Sequence, residues 1–169
     1  MKLPSFIYRS ERVGKNGRLF SAYKIRTLKE GVEKASSFAE QSQYLRFGRF
    51  LRKCKLDELP QLINVLKGEM SLVGPRPEET RAIEIIPEEV RKILLSAKPG
   101  LTSLASLYFY DEEKLLQEVG EDKYRNYWTK VKPAKILLDT FYVRNKCLLL
   151  DLAVLWMTFK KVIKSLFNK

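Results

Sequence analysis

The stretch Arg49-Phe-Leu-Arg-Lys-Cys-Lys-Leu-Asp-Glu-Leu-Pro-Gln-Leu-Ile-Asn-Val-Leu-Lys-Gly68 restricts local structure more than any other part of the chain. A run of cations ends at Lys55. Two adjacent carboxylates follow, Asp57 and Glu58, and open an apolar segment with helical spacing. Asp57 suits a helix start, where a carboxylate can satisfy open N–H groups. Pro60 falls in the first turn, where its missing N–H is harmless, and Gly68 is a natural stop. The spacing of Leu59, Leu62, Ile63 and Leu66 predicts that these four share the buried face.

The 169 residues predict one domain, 1–169, long enough for a real core. The net charge of +12 implies an anionic partner: nucleic acid, a phosphorylated small molecule or acidic lipid. Histidine is absent, which excludes a Ser-His-Asp triad, a histidine general base and histidine-ligated zinc. Acid–base work would fall to Asp, Glu, Lys or Tyr, and a metal would be held by oxygen, which favours Mg²⁺. Cys54 and Cys147 make neither a disulfide framework nor a metal cluster, in keeping with a reducing compartment.

Met1 to Leu28 reads as a β-hairpin, with Asn16-Gly17 as a two-residue turn because both residues tolerate positive φ. Lys24 and Arg26, at the end of its second strand, either face water or line an anion site. No apolar core of a signal peptide is present in Met1-Lys-Leu-Pro. Glu30 to Gln43 is polar, a short helix or loop. Arg46, Arg49 and Arg52 stand three apart and are predicted to share a helical face. Pro75 and Pro77 bracket Arg76 and stiffen the backbone around it, which suits phosphate recognition; an ordinary proline-rich turn is the plainer account.

Glu78 to Ser96 predicts helix broken at Pro87, and Lys98-Pro-Gly100 stops it. Thr102 and Ser103 are either ligand-bonding or packing residues. Asp111–Val119 and Asp122–Lys132 predict helix, and Pro133 opens a helical region running to the C-terminus. There Leu148, Leu152, Leu155, Phe159, Val162 and Leu166 repeat at three or four residues, with Trp156, Ile163 and Phe167 widening the stripe and Lys160, Lys161, Lys164 and Lys169 alongside. A basic amphipathic helix of this kind fits a bilayer surface or packs on a core, and its apolar run is too short to span. The fold class expected is α+β: mostly helical, with an N-terminal β-hairpin and a C-terminal amphipathic helix.

An acidic pair at a helix start has a plain structural account, since it complements the helix dipole. Its neighbours favour chemistry. Arg49 and Arg52 lie just upstream, and Arg76 is presented by prolines downstream. Carboxylates among arginines can hold a Mg²⁺-bound phosphate, and an aspartate can attack phosphorus without a histidine.

The block from Leu56 to Pro77 closely resembles the signature of the bacterial sugar transferases, the monotopic phosphoglycosyl transferases. The resemblance extends to Glu11-Arg-Val-Gly-Lys-Asn-Gly17, Tyr23-Lys-Ile-Arg-Thr27, Arg46-Phe-Gly-Arg-Phe-Leu-Arg52, Lys98-Pro-Gly-Leu-Thr102 and the tail from Tyr142. It implies transfer of a phosphosugar from a nucleotide-sugar, usually a UDP-sugar, to a polyprenyl phosphate such as undecaprenyl phosphate. The step would run through a covalent intermediate on Asp57 and initiate cell-surface glycan assembly. By the same resemblance Glu58 binds Mg²⁺ beside Asp57, Arg52 and Arg76 contact phosphate or nucleotide, and Lys24 and Arg26 join them more loosely.

An anionic membrane surface, on the cytoplasmic face of the bacterial inner membrane, is the implied partner, and no nucleic acid is expected. Two rival readings are a basic nucleic-acid module and a remnant of the fold without catalysis. The sequence departs from the family in three ways. It starts at the hairpin where relatives carry an apolar re-entrant helix. It has Cys54 where a small hydroxyl residue is common. Its Pro99-Gly-Leu-Thr-Ser-Leu-Ala-Ser106 differs from the common Pro-Gly-Ile-Thr-Gly-Trp-Ala-Gln, which bears on the sugar.

Overall fold

The computed structural model describes residues 6–29, 41–112, 115 and 122–167. The fold is α+β and mostly helical, as expected. Strands β1 (Ile7–Val13) and β2 (Leu19–Ile25) form the antiparallel hairpin, in register from Ile7 opposite Ile25 to Val13 opposite Leu19. Asn16 and Gly17 both take positive φ, and the Arg18 N–H donates to Lys15 O at 3.3 Å, closing the predicted turn. Side chains alternate across a strand. Phe20 and Ala22 therefore point inward to Met70 and Val65, and the same parity turns Lys24 to that face.

A second small sheet fixes the proline loop. Strands β3 (Ser71–Val73) and β4 (Gly100–Thr102) run parallel, with Ser71 opposite Gly100 and Val73 opposite Thr102. Gly74 and Gly100 meet backbone to backbone, so that a Cβ on either would collide with the other's main chain. The Gly100 N–H donates to Pro75 O at 2.9 Å, which anchors the loop carrying Arg76.

Helices α1 (Gly48–Lys53) and α2 (Leu62–Leu66) flank a 3₁₀ segment, Leu56–Gln61. The predicted break at Pro87 separates α3 (Thr80–Glu84) from α4 (Glu88–Ser96), whose first turn holds Glu88 and Glu89. Short α5 (Leu104–Tyr108) is capped by Ser103, whose Oγ accepts from Ser106 N at 2.9 Å. Helix α6 (Lys123–Asn126) passes through a π-helical turn, Tyr127–Val131, into α7 (Lys132–Arg144); α8 (Leu148–Phe167) follows. The helical region after Pro133 is thus two helices. The buried Tyr142 hydroxyl lies 2.5 Å from Asp151 Oδ1 and 3.2 Å from Val73 O, tying α7, α8 and β3 together.

Two expectations are corrected here. Leu59, Leu62, Ile63 and Leu66 are exposed, Leu66 by 88%, and the buried residues of that segment are Asp57, Glu58, Gln61 and Asn64. The reason is the neighbour. The segment packs its polar side on the edge of β2, where, among the described residues, no third strand pairs and Asn64 satisfies the backbone groups. Asn64 Oδ1 accepts from Tyr23 N (3.2 Å), and its amide nitrogen donates to Ser21 O (2.8 Å) and Glu69 Oε2 (2.7 Å). Arg46, Arg49 and Arg52 do not share a helical face, because the helix begins only at Gly48 and Arg46 precedes it.

Gln41–Gln43 forms one 3₁₀ turn. The rest of the Glu30–Gln43 expectation lies outside the described residues, as does most of the helix expected at Asp111–Val119.

The C-terminal helix presents Leu148, Leu149, Leu152, Trp156, Met157, Phe159 and Phe167 to the outside and buries Val154 against Val73 and Tyr142. Among the described residues, no helix is long and apolar enough to cross a membrane. Cys54 is fully buried, with its Sγ 3.7 Å from Ser165 O, so it packs α1 against α8.

Candidate active site

Pro60 removes one donor from the turn that holds Asp57 and Glu58, and the turn is 3₁₀; regular α-helix starts only at Leu62. Lys55, just before it, sits in the left-handed region at φ 57°. That conformation is uncommon for a lysine. It redirects the chain after α1 so that both carboxylates face inward, 6% and 8% exposed.

Glu58 is the centre of a charge cluster. Its Oε1 accepts from Lys24 Nζ at 2.9 Å and from Arg76 Nη2 at 2.6 Å, and its Oε2 accepts from Arg76 Nη1 at 3.3 Å. Burial works against the ionised form of Glu58, but Arg76 and then Lys24 outweigh it and hold its pKa well below the usual carboxylate range. The same contact works in reverse on the arginine: Glu58, opposed by burial, pushes the Arg76 pKa up. Burial lowers the Lys24 pKa despite its pairing with Glu58.

Asp57 is different. Its Oδ1 is buried without a hydrogen-bond partner. Burial first, and the neighbouring Glu58 charge second, raise its pKa; Lys24, Arg52 and Lys55 pull the other way. A buried, unpaired carboxylate oxygen is expensive and asks for a partner from outside the chain.

A cavity of about 210 Å³ adjoins the cluster. Glu58, Arg76 and Lys55 line one part of its wall, and Glu112 and Lys135 another, with Leu59, Leu107, Phe109, Leu155 and Val162 supplying apolar surface. Asp57, next to Glu58 in the chain, does not line the cavity.

Of the residues singled out from sequence, Lys24, Glu58 and Arg76 are joined directly. Arg52 is half-buried, with its guanidinium 5.9 Å from the Tyr44 ring centre, and acts on Asp57 through charge. Arg26 lies just past β2, its N–H on Phe6 O at 2.8 Å, and is not part of the Glu58 cluster. Thr102 and Ser103 are occupied inside the protein: Thr102 Oγ1 is 2.8 Å from Thr158 Oγ1, and Ser103 caps α5.

Sequence reasoning missed Asp139. From α7 its carboxylate accepts from the backbone N–H of Arg76 (3.0 Å) and of Ala105 (3.3 Å), so it clamps the proline loop to α5. Burial raises its pKa to about 6, against the pull of those hydrogen bonds. An acid in a stretch read only as helical, after Pro133, carries no local signal of such a task. Sequence reasoning also passed over Glu112 and Lys135, bonded at 2.6 Å across the cavity wall.

The profile of a family described as bacterial sugar transferase matches residues 2–165. The chain is 37% identical over 176 aligned residues to an undecaprenyl-phosphate galactose phosphotransferase of Salmonella typhimurium, covering 94% of this chain and 33% of that protein. It is 30% identical to a UDP-N-acetylgalactosamine-undecaprenyl-phosphate N-acetylgalactosaminephosphotransferase of Aeromonas hydrophila, covering 93% of this chain and 35% of that protein. It is 35% identical to an uncharacterized sugar transferase, EpsL, of Bacillus subtilis, covering 94% of this chain and 70% of that protein. The chain thus spans about a third of the length of the first two relatives.

Proposed function

The chain belongs to the bacterial sugar transferase family, and on that premise we propose that it moves a phosphosugar from a UDP-sugar to a polyprenyl phosphate through a covalent intermediate on Asp57. The supporting observation is the contrast between the two acids: Glu58 is paired with Lys24 and Arg76, while Asp57 keeps a buried oxygen with no partner.

In the first half-reaction Asp57 Oδ1 attacks the sugar-proximal phosphorus. A carboxylate–phosphorus bond forms, the bond to the bridging oxygen breaks, and the nucleoside monophosphate leaves with the electron pair. In the second, a phosphate oxygen of the polyprenyl phosphate attacks the same phosphorus. The bond to Asp57 breaks, the carboxylate is regenerated, and a polyprenyl diphosphate sugar results. Arg76 and Lys24 hold positive charge where phosphate oxygens arrive, and Arg52 and Lys55 offset the negative charge of Asp57 itself. The raised pKa of Asp57 means that its nucleophilic form is lost on acidification earlier than for an ordinary aspartate.

The donor set suits Mg²⁺. Glu58 Oε2 carries only the longer Arg76 contact and, with the second carboxylate oxygen of Asp57, would hold the ion. Mg²⁺ takes one or two carboxylates and completes its shell with water and phosphate oxygens. When bound, the ion would offset phosphate charge. The exposed leucines around α2 and the exposed apolar side of α8, flanked by Lys160 and Lys164, would rest on an anionic membrane at its cytoplasmic face, where the lipid acceptor is found.

Incubation with UDP-sugar and Mg²⁺, followed by intact-mass measurement, should show an adduct of one phosphosugar. In Asp57→Asn the adduct should vanish and transfer should fall by about 10³-fold or more, the scale of losing a catalytic nucleophile. Retained turnover in Asp57→Asn rules out the aspartyl route.

A further inference from the structure

We propose that Glu112, held by Lys135, is the residue that reads the sugar ring of the donor. The proposal rests on the transferase reading and adds a recognition site to it.

The cavity wall has two ionic regions with different chemistry. Arg76 and Lys55 line one region beside Glu58, which Lys24 also neutralises from outside the wall, so the balance there is cationic, as phosphates require. In the other region a carboxylate faces the cavity. A carboxylate repels phosphate but accepts from hydroxyl or amide N–H groups, which are what the sugar half of the donor presents.

Glu112 is also built for the purpose. Its Oε2 accepts from Lys135 Nζ at 2.6 Å, while its Oε1 is buried with no hydrogen-bond partner. The two side chains are 16% and 12% exposed, so this is not a surface ion pair. Lys135 is itself confined between the rings of Phe109 and Tyr127, at 5.9 and 5.6 Å. The carboxylate is therefore locked in one orientation before ligand arrives, with one acceptor left open. Phe109 adds a ring to the same wall, a surface on which the C–H face of a pyranose can rest. Arg76 and Glu112 line the same cavity, so one ligand can meet both ionic regions. Leaving such an acceptor unpaired is costly, so a site that has one discriminates strongly for ligands that fill it.

The test is binding, in Asp57→Asn protein so that donor is not consumed, with UDP, UDP-galactose and UDP-N-acetylgalactosamine titrated calorimetrically. Glu112→Gln keeps the shape but exchanges half the acceptor for a donor. It should weaken at least one UDP-sugar by about 10-fold, the loss of one hydrogen bond to a charged group, and leave UDP within about 2-fold. Lys135→Gln, which frees the carboxylate to rotate, should shift the same sugar in the same direction by less. Equal weakening of UDP and UDP-sugars, or no change in either, overturns the proposal, since a merely structural pair or a contact to the ribose would act on UDP as well. If the Asp57→Asn protein with Glu112 intact binds none of the three, the transferase reading itself is overturned.

Discussion

Two short helical segments, Leu56–Leu66 and Glu88–Ser96, look alike as patterns and are built inside out with respect to each other. In α4 the apolar side goes in. Leu94 is buried with Val13, Ile83 and Ile86, while Glu88 and Lys92 pair at 2.8 Å in solvent. In the segment around Asp57 the leucines go out, and Asp57, Glu58, Gln61 and Asn64 go in. Both have an amphipathic repeat, so the repeat defines two faces without saying which is the interior. The neighbour decides. Helix α4 meets side chains of β1 and α7, which are apolar. The Asp57 segment meets the edge of β2 and a cluster of cations, which need polar partners. A buried polar face of this kind contributes little hydrophobic stabilisation; its leucines are left free for another medium.

Substitutions in the two segments and at the residues that hold them should differ in cost. Leu94→Ala should be the most costly change, about 3 kcal/mol in urea unfolding, because it removes core packing and leaves a cavity. The Asp139 clamp comes next and is read by pH. Below about pH 4 both folded and unfolded chains hold its proton; between there and about 6 only the folded chain does. Stability should therefore fall as pH rises across that window, by at most about 3 kcal/mol, and Asp139→Asn should flatten the slope.

Asn64→Ala should cost about 2 kcal/mol, since it strands the Tyr23 N–H and Ser21 carbonyl at the β2 edge. A loss as small as that of a surface residue would show that water replaces it and that the polar face is not a structural one. Leu66→Ser should change stability by less than about 0.5 kcal/mol and instead weaken binding to vesicles containing anionic lipid. A loss comparable to Leu94→Ala would mean that Leu66 is covered in solution.

The hairpin, its turn at Asn16-Gly17, the break at Pro87 and the stop at Gly68 were legible because each is dictated by backbone chemistry within a few residues. Lys24, Glu58 and Arg76 were singled out from the sequence by family resemblance, since local charge and prolines left Lys24 and Arg76 open, and the structure joins the three in one charge cluster. The facing of Leu59 to Leu66 was not, since it depends on what β2 leaves uncovered. Asp139 and Glu112 were not either. Their partners, Arg76 N–H, Ala105 N–H and Lys135, are distant in sequence, and no spacing rule links them.

Glu58 joins Lys24, 34 residues before it, to Arg76, 18 residues after it. Closing such loops costs chain entropy before any contact compensates, so pairings of this range tend to form late. A nascent chain that has reached Leu66 holds Lys24 and Glu58 but has no Arg76 and no α7 to brace it. The charge pattern at the heart of the molecule is thus a property of the completed fold, and we expect refolding followed by nucleotide binding to lag behind refolding followed by hairpin signals.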